Sequence, residues 1–384
     1  MDIYLDNSAT TKPYKEVIEE IARAMEEYYG NPSSLHKIGL ASEKKLTEAR
    51  EFLAKTINTS KEEIYFTSGG SESNNLIIKG LVKPGHHVIT TVFEHHSVLM
   101  TYNELEREGV KVTYLNVDKN GQISLEELKN AICKDTVLVS IMHVNNEMGA
   151  IQDLEAIGRI IKENSSRAKF HVDAVQSYGK LDIDVKKMNI DLLTASSHKI
   201  HGPKGIGFSY IKKGIILRSL IIGGSQEGGF RGGTQNVPAI IGLKKAAEIT
   251  FNNKEENNNH VEKLKKYMVD RLGEIDNIRI NSPIGEEFSP YILNVSFNGI
   301  RAEVLLHLLE DNNIYVATGS ACTSRTSAVK GSYVIKSLGL RKEEIESAIR
   351  FSFSKFNTKE EIDRVIEVLK SSLKFLRRVR KWIN

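Results

Sequence analysis

The stretch Ser196-Ser197-His198-Lys199-Ile200-His201-Gly202-Pro203-Lys204-Gly205-Ile206-Gly207 links two apolar runs of the chain, residues 191–195 and 205–211. A lysine that leaves an apolar strand into a Ser/His/Gly loop is suited to carry an aldehyde cofactor. Its amine reacts only when it is neutral, and burial or neighbouring cations favour that form. Lys199 has His198, His201 and Lys204 as neighbours. The stretch therefore predicts Schiff-base chemistry, and a Gly-Pro turn between ordinary surface lysines is the alternative.

The sequence around this stretch alternates between strand and helix patterns. Short apolar or alternating segments indicate strands at residues 63–66, 87–91, 111–115, 136–142, 169–173, 191–195 and 205–211. Helical patterns precede them at residues 14–28 and 40–57, and the first pattern aligns Val17, Ile18, Ile21, Ala22 and Met25. This alternation predicts an α/β fold with a mainly parallel central sheet and helices on both faces.

The pattern changes after Gly223, where a glycine-rich loop leads into a helix at about residues 237–251. We interpret the polar stretch 252–259 as an exposed hinge or helix junction. Beyond it, the sequence predicts strands at residues 291–297, 314–317 and 349–354 and helices at 301–311, 342–348 and 358–382. We therefore expect a large domain at residues 12–255 and a smaller α+β domain formed by residues 1–11 and 256–384.

Composition excludes several classes of protein. Hydrophobic residues make up 40% of the 384 residues and charged residues 27%, which is typical of a globular protein. The net charge of +4 is dispersed, so we expect no direct binding to nucleic acid. No apolar run reaches the roughly 20 residues needed to span a bilayer, and no signal peptide is evident, so we expect a cytoplasmic protein without a membrane segment.

Only two cysteines occur, Cys133 and Cys322. Two are too few for a disulfide framework or a cysteine-rich zinc site, and we expect no metal. Cys322 lies in Gly319-Ser320-Ala321-Cys322-Thr323-Ser324 and precedes the polar segment 325–331, which predicts an exposed nucleophilic thiol. Cys133 follows Ile132 directly before a strand, and we expect it to be a small buried residue.

Polar clusters follow several of the predicted strands, at the sheet edge where α/β proteins bind ligands. Thr67-Ser68-Gly69-Gly70-Ser71 opens a helix and offers free amides to a phosphate, although a simple helix-capping turn is an alternative. Glu94-His95-His96-Ser97 supplies an imidazole that could stack on a flat ligand or carry protons. A structural histidine is the alternative here.

Two further groups could recognise a cofactor or substrate. Asp173 ends an apolar strand, where its ionised form needs a cationic partner such as the ring nitrogen of pyridoxal phosphate. A helix cap is the alternative. Asn145 and Asn146 end the preceding strand and could bond a ring oxygen or a substrate carboxylate. Arg350 could bind a carboxylate with two parallel hydrogen bonds, or it could form an ordinary salt bridge.

Taken together, these motifs resemble the cysteine desulfurases of the NifS/IscS type, a branch of the class V, fold-type I pyridoxal-phosphate enzymes. The match spans essentially the whole chain. It includes residues 4–11, Gly30-Asn31-Pro32, Thr67-Ser68-Gly69 with Ser71-Glu72-Ser73, Glu94-His95, His143-Val144-Asn145-Asn146-Glu147-Met148-Gly149, His171-Val172-Asp173-Ala174 with Gln176, His198-Lys199 with Gly202-Pro203-Lys204-Gly205, Phe230-Arg231 with Gly233-Thr234 and Asn236-Val237, residues 319–324, and Arg350-Phe351-Ser352.

The resemblance implies a fold-type I, aspartate-aminotransferase-like transferase, and it implies roles for single residues. Lys199 would carry pyridoxal 5'-phosphate and move protons at the substrate Cα, while His95 would stack on the ring and act as acid or base. Asp173 would pair with the ring nitrogen and Gln176 with the phenolic oxygen. The phosphate would be held by Gly70, Ser71, Ser196 and His198. Asn146 and Arg350 would bind the substrate carboxylate.

The resemblance also implies a reaction and partners. L-cysteine would lose its sulfur to Cys322, which becomes a persulfide, and L-alanine would leave. Thr234 would reach the phosphate of a neighbouring subunit, so the enzyme would be a homodimer. The persulfide would serve an acceptor protein, either an iron-sulfur scaffold or a tRNA-thiolation enzyme. Alternatives are another class V activity, such as an aminotransferase or selenocysteine lyase, and a non-catalytic scaffold homologue.

Two departures from the familiar iron-sulfur assembly enzymes affect the acceptor. The segment Arg325-Thr326-Ser327-Ala328-Val329-Lys330-Gly331-Ser332-Tyr333 is somewhat longer than theirs and lacks their Leu-Glu-Pro. The chain given stops at Asn384, before the tail with which those enzymes hold a scaffold. The basic run 374–382 could contact an acceptor, although such a run is often a solvated helix face.

Overall fold

The computed structural model of the protein describes residues 2–319 and 332–383, and in the last helix it describes side chains as far as Arg378. The strands are β1 Ile3–Tyr4, β2 Ile64–Thr67, β3 His87–Thr91, β4 Lys111–Leu115, β5 Thr136–Met142, β6 Lys169–Asp173, β7 Leu192–Ser196, β8 Gly207–Ile211, β9 Ile278–Ile280, β10 Ile292–Phe297, β11 Ile314–Tyr315, β12 Ala317–Thr318 and β13 Ala348–Ser352.

The helices are α1 Lys15–Glu27, α2 Lys37–Thr56, α3 Gly70–Leu81, α4 His96–Arg107, α5 Leu125–Ala131, α6 Leu154–Asn164, α7 Val237–Asn252, α8 Lys254–Leu272, α9 Ala302–Glu310, α10 Tyr333–Ser337, α11 Lys342–Glu346 and α12 Lys359–Ile383. Short 3-10 turns lie at Lys61–Glu63, Ser197–Lys199 and Gln226–Gly229. Polar side chains start several helices: Ser124, Asp153 and Asn236 each accept a hydrogen bond from the backbone of α5, α6 and α7, respectively.

A seven-stranded sheet has the order β2-β8-β7-β6-β5-β3-β4. The strands from β7 to β4 pair in parallel, whereas β8 is antiparallel to both β7 and β2. Successive side chains of a strand point to opposite faces. Leu138 accordingly packs in the cluster that contains α3 and α4, and Val139 in the cluster that contains α1, α2, α6 and α7. The prediction of a mainly parallel sheet with helices on both faces is confirmed.

The observed bounds agree with several predicted elements and correct others. β3, β4, β5 and β6 have the predicted ends. Of the two interpretations of the polar stretch 252–259, the structure shows the helix junction, which lies at Asn253 and is followed by the start of α8, and not the exposed hinge. The apolar stripe of α1 is only partly buried: Val17 packs in the core, whereas Ile18 and Met25 are 55% and 64% exposed.

A second, four-stranded antiparallel sheet has the order β12-β13-β10-β9, and β1 pairs in parallel with β11. Its core contains side chains of α8, α9 and α12. α12 buries Ile362, Val365, Ile366, Leu369 and Leu373, which recur every three or four residues on one helix face. The division into domains at residues 255 and 256 stays a prediction, and it falls in the first turn of α8.

The N-terminal segment connects the two sheets near the ends of β6 and β7. Asp6 forms a β-bridge with Ser352 of β13, and the backbone of Thr11 donates to the carbonyl of His198. In the described part of the chain, no helix is long and apolar enough to cross a membrane. Nor do these residues include a group of three or more His, Cys, Asp or Glu side chains arranged for a metal ion.

Candidate active site

A cavity of about 340 Å³ lies at the carboxyl ends of β5, β6 and β7, beside the first turn of α3. Ligands of open α/β sheets bind at this edge. The structure brings most of the predicted site residues together here. The cavity is lined by Ser8, Ala9, Gly70, Ser71, Asn74, His95, Ser97, Met142, Asn146, Asp173, Val175, Gln176, Ser196, His198, Lys199 and Arg350.

Lys199 ends the 3-10 turn that follows β7, and it is 8% exposed. Its Nζ donates to the backbone carbonyls of Ser8 and Ala9, at 2.8 Å for Ala9. Burial, followed by the positive charges of Arg350 and Lys180, lowers the pKa of the Lys199 amine to about 7. The surface-turn alternative is therefore wrong for this lysine, because it is buried and its neutral, nucleophilic form is accessible near neutral pH.

His95 caps the N-terminus of α4. Its Nδ1 accepts from the backbone N–H of Ser97 at 3.1 Å and lies 2.8 Å from the Ser97 Oγ. Burial lowers the pKa of His95. A neutral ring whose Nδ1 accepts a hydrogen bond carries its proton on Nε2.

A chain of hydrogen bonds links this histidine to Asp173. The amide nitrogen of Asn74 donates to the Ser97 Oγ at 2.9 Å and to the Asp173 Oδ2 at 2.8 Å. Asp173 also accepts from the backbone N–H of Val175 at 3.0 Å, so this carboxylate caps a turn as well as facing the cavity. Sequence reasoning missed Asn74 and Ser97. Asn74 lies four residues after Gly70 and shares its helix face, which is the signal that could have identified it.

The first turn of α3 supplies an anion site. Gly69 has φ of +147°, a value suited to glycine, and precedes the free amides of Gly70 and Ser71. A Cβ on Gly70 would lie 2.7 Å from a methyl group of Val175, so only glycine fits there. His198 also lines the cavity. Burial lowers its pKa to about 4, so its ring is neutral and can donate one hydrogen bond.

Four polar atoms in the cavity wall are buried and have no hydrogen-bond partner among the described residues. They are Asn74 Oδ1, Asn146 Oδ1, Gln176 Oε1 and Arg350 Nε. Such atoms are rare in proteins because leaving them unpaired costs about 1–3 kcal/mol each. They mark positions where a polar ligand would bind. The same wall provides an anion-binding helix terminus, a carboxylate and a neutral lysine amine, a set that fits pyridoxal phosphate.

Two predicted site residues lie elsewhere. Thr234 is exposed and lines a separate cavity of about 140 Å³ with Ser68, Arg231 and Gly233. Cys322 lies outside the described residues. The residues on either side of that gap, Gly319 and Ser332, are described, and both adjoin the buried carboxylate of Glu147.

The other cysteine corrects an expectation. Cys133 is exposed rather than buried, and its Sγ lies 3.4 Å from the Nδ1 of His87. It occupies the turn after α5, where the chain enters β5, and its backbone N–H donates to Thr136. The apolar neighbour Ile132 was a poor guide, because Cys133 lies in a surface turn, with its Sγ beside the side chains of His87 and Thr136.

The chain matches the family model described as aminotransferase class-V over residues 3–365. It is 45% identical to the cysteine desulfurase IscS of Clostridium botulinum (strain Hall) over 380 residues, which cover 97% of this chain and 94% of that protein. Two solved structures are similar. A NifS-like protein is 40% identical with a TM-score of 0.92, and the match covers 98% of this chain and 100% of that chain. The structure described as SspA in complex with cysteine is 35% identical with a TM-score of 0.81, and the match covers 93% of this chain and 100% of that chain. Since these matches extend over nearly its whole length, the chain belongs to the cysteine desulfurases of the NifS/IscS type, pyridoxal-phosphate-dependent enzymes of aminotransferase class V.

Proposed function

We propose that this enzyme removes sulfur from L-cysteine, holds it as a persulfide on Cys322 and releases L-alanine. The observation that carries the proposal is the cavity in which a buried lysine with a lowered pKa, His95, Asp173 and Arg350 converge. The similar protein SspA has been solved in complex with cysteine, which supports the choice of substrate.

Different residues of the cavity would bind different parts of the cofactor. Lys199 would hold its aldehyde carbon, and Asp173 would pair with the ring nitrogen. Gln176, whose Oε1 is unpaired, would face the phenolic oxygen. The phosphate would bind to Gly70, Ser71, Ser196 and His198. When bound, pyridoxal phosphate supplies an electron sink for negative charge at the substrate Cα.

The substrate carboxylate would bind Arg350 and Asn146. Arg350 donates through Nη1 to the carbonyl of Asn146 at 2.9 Å and through Nη2 to Asp6 at 2.7 Å, which leaves Nε for a ligand. A carboxylate that is bound here would fix the orientation of the amino acid. The neutral amine of Lys199 would then take the Cα proton. His95, protonated on Nε2, would give or accept a proton nearby.

The sulfur step requires a second thiol. The Cys322 thiolate would attack the substrate sulfur, forming an S–S bond while the Cβ–S bond breaks. The electron pair of the broken bond stays on the substrate fragment, which gains a proton and leaves as L-alanine. In sum, L-cysteine and one protein thiol give L-alanine and one protein persulfide. No external oxidant or reductant is needed.

We also propose a homodimer, in which Thr234 of each subunit contacts the phosphate in its neighbour. Large apolar side chains are exposed on the surface, including Tyr29 at 71%, Leu35 at 90% and Ile222 at 90%. Exposed apolar side chains are common at subunit interfaces. The name IscS of the similar proteins supports transfer of the persulfide sulfur to an iron-sulfur scaffold. A tRNA-thiolation enzyme is the alternative acceptor that we propose, and we propose a cytoplasmic location for the transfer.

The two cysteines allow a matched test. We expect Cys322→Ser to bind pyridoxal phosphate with the absorbance of the unchanged enzyme but to form no protein persulfide from L-cysteine and to release no alanine. Cys133→Ser should behave like the unchanged enzyme, since it removes an exposed thiol outside the cavity. Mass spectrometry of the intact protein measures the persulfide. Full alanine release by Cys322→Ser would contradict the proposed sulfur step.

A further inference from the structure

Lys199 shares a second, small cavity with another lysine, Lys180. No residue of α3 lines this cavity, whereas Tyr291, His201 and Lys355 do. None of its lining residues is an aspartate or glutamate. The mechanism described above gives Lys180 no role.

The backbone fixes where Lys180 lies. Gly179 has φ of +77°, and a Cβ at that position would come within 3.0 Å of the side chain of Ile200, the residue after Lys199. The turn before Lys180 therefore packs tightly against the turn that carries Lys199. A side chain at residue 179 would force the two turns apart.

Contacts with Asn258 and Tyr291 fix the position of Lys180 and its side chain. Asn258 donates to the carbonyl of Lys180 at 2.8 Å and accepts from the hydroxyl of Tyr291 at 2.8 Å. The Tyr291 ring then presents its face to the Lys180 Nζ, 4.9 Å from the ring centre. A cation–π contact of this kind holds an ammonium group without neutralising it.

Among the described residues, no carboxylate forms an ion pair with the Nζ of Lys180. Burial lowers the pKa of Lys180 to about 8. At pH 7 the ammonium form therefore still predominates. An unpaired charge at a site with limited solvent acts on its neighbours more strongly than one at the open surface.

Several charged or titratable groups face Lys199 from the surrounding elements. Arg350 and Lys180 disfavour its protonated form, whereas Asp6 and Asp173 favour it. Arg350 is ion-paired with Asp6 at 2.7 Å, so much of its effect is offset. Burial lowers the pKa of His95, His198 and His201, which keeps these rings neutral at pH 7. Of the two cations that lower the pKa of Lys199, Arg350 and Lys180, Lys180 is thus the one that no described carboxylate balances. Lys355 also lines the small cavity, and its ammonium group lies over the rings of Tyr14 and Phe356.

We propose that Lys180 is a positioning residue that acts through Lys199, keeping its amine neutral and reactive. The proposal rests on the proposed function in one respect, namely that Lys199 is the lysine that binds the cofactor. A purely structural role for Lys180, as a group that packs against Tyr291, is the competing explanation.

The test is a spectrophotometric pH titration of the purified holoenzyme, in which the cofactor absorbance reports protonation of the Lys199 nitrogen. Removing a nearby cation favours the protonated form, so Lys180→Met should raise the midpoint by roughly one pH unit. Lys180→Gln should raise the midpoint as well, and it replaces Lys180→Met in the test if the Lys180→Met variant does not fold. Lys180→Arg keeps the charge and should leave the midpoint unchanged. Lys186→Met removes an exposed lysine of the same charge and is the control.

Reduction of each variant with borohydride, followed by peptide mapping, identifies the lysine that carries the cofactor. A label on Lys199 with a raised midpoint in the neutral variants alone supports the proposal. A label on Lys199 with an unmoved midpoint in folded Lys180→Met or Lys180→Gln overturns it and leaves the proposed function intact. A label on a different lysine overturns both.

Discussion

At the scale of single residues, the N-terminal segment supplies a carboxylate that orients Arg350. The ion pair between Asp6 and Arg350 is 2.7 Å long and largely buried, with side-chain exposures of 23% and 10%. Asp6 and the carbonyl of Asn146 occupy the two terminal nitrogens of the guanidinium, so its plane is fixed. A fixed guanidinium loses little entropy when it binds a second carboxylate.

We expect Asp6→Asn to raise the KM for L-cysteine roughly tenfold, because a hydrogen bond between charged groups contributes about 1.5–3 kcal/mol and 1.4 kcal/mol corresponds to a factor of ten. Steady-state kinetics measure the effect, and the amount of pyridoxal phosphate bound per subunit checks that cofactor binding is unchanged. Asp2→Asn is the control, since Asp2 bonds only the exposed Tyr315 hydroxyl among the described residues. An unchanged KM in Asp6→Asn would mean that Asp6 does not orient Arg350 for substrate.

The sequence allowed prediction of the cavity residues that follow strands, but not of those that reach it from helices or backbone. Lys199 and Asp173 are polar residues at the ends of apolar runs, a pattern that can be read directly. Asn74 contacts Asp173 across 99 positions of sequence, and nothing in its own helix indicates that partner. The acceptors for Lys199 are the backbone carbonyls of Ser8 and Ala9, which any residue type could provide.

At the scale of elements, a buried carboxylate joins the two ends of the segment that contains Cys322. Glu147 follows β5 and accepts a hydrogen bond from the hydroxyl of Ser332, which also caps α10. Burial raises the pKa of Glu147 to about 7. Gly319, at the end of β12, lies so close to the same carboxylate that a Cβ there would be 2.1 Å from its Oε2.

Gly319→Ala should therefore destabilise the protein by about 1–3 kcal/mol, the usual effect of overpacking a buried site. The added methyl group would also meet the Cβ of Ser332 at 2.4 Å, so both ends of the segment would have to shift. Thermal unfolding of the holoenzyme measures the loss. Gly285→Ala is the matched control, because a Cβ at Gly285 meets no atom within 4 Å. Equal melting temperatures for the two variants would contradict the close packing at Gly319.

Element bounds were predictable where an apolar or alternating run of five to seven residues was visible, and β3 to β6 were predicted to the residue from such runs. β1 and β9 have two and three residues, too short for a periodic pattern to be visible. The antiparallel direction of β8 was not predicted, because direction depends on the short connection from β7 and not on the composition of the strand.

At the scale of the whole molecule, the loop that carries Thr234 is held rigidly although Thr234 itself is exposed. Glu227, 4% exposed, accepts from the guanidinium of Arg50 and from the backbone N–H of Phe66, the latter at 2.7 Å. Arg231 pairs with Glu72 of α3 at 3.1 Å. A rigid loop with an exposed hydroxyl is suited to contact a group in another subunit, because little entropy is lost on association.

Mixing two variants that are each inactive at limiting pyridoxal phosphate tests whether each active site is built from two subunits. In a mixed dimer of Lys199→Ala and Thr234→Ala, one site has both defects and the other has none. Randomly reassociated dimers should therefore regain about a quarter of the unchanged activity, provided that Thr234 acts across the interface of a twofold dimer. Reassociation from mild denaturant at limiting pyridoxal phosphate, followed by assay of alanine release, measures the recovery.

The control pairs Lys199→Ala with Ser71→Ala. Ser71 lines the same cavity as Lys199 within one chain. Each site of that mixed dimer then has one defect, so activity should not rise above that of the separate variants. Recovery with Thr234→Ala but not with Ser71→Ala would require that Thr234 and Lys199 of different chains meet in one site. Equal behaviour of the two mixtures would place Thr234 in the site of its own chain, and the dimer would then be unnecessary for binding the phosphate.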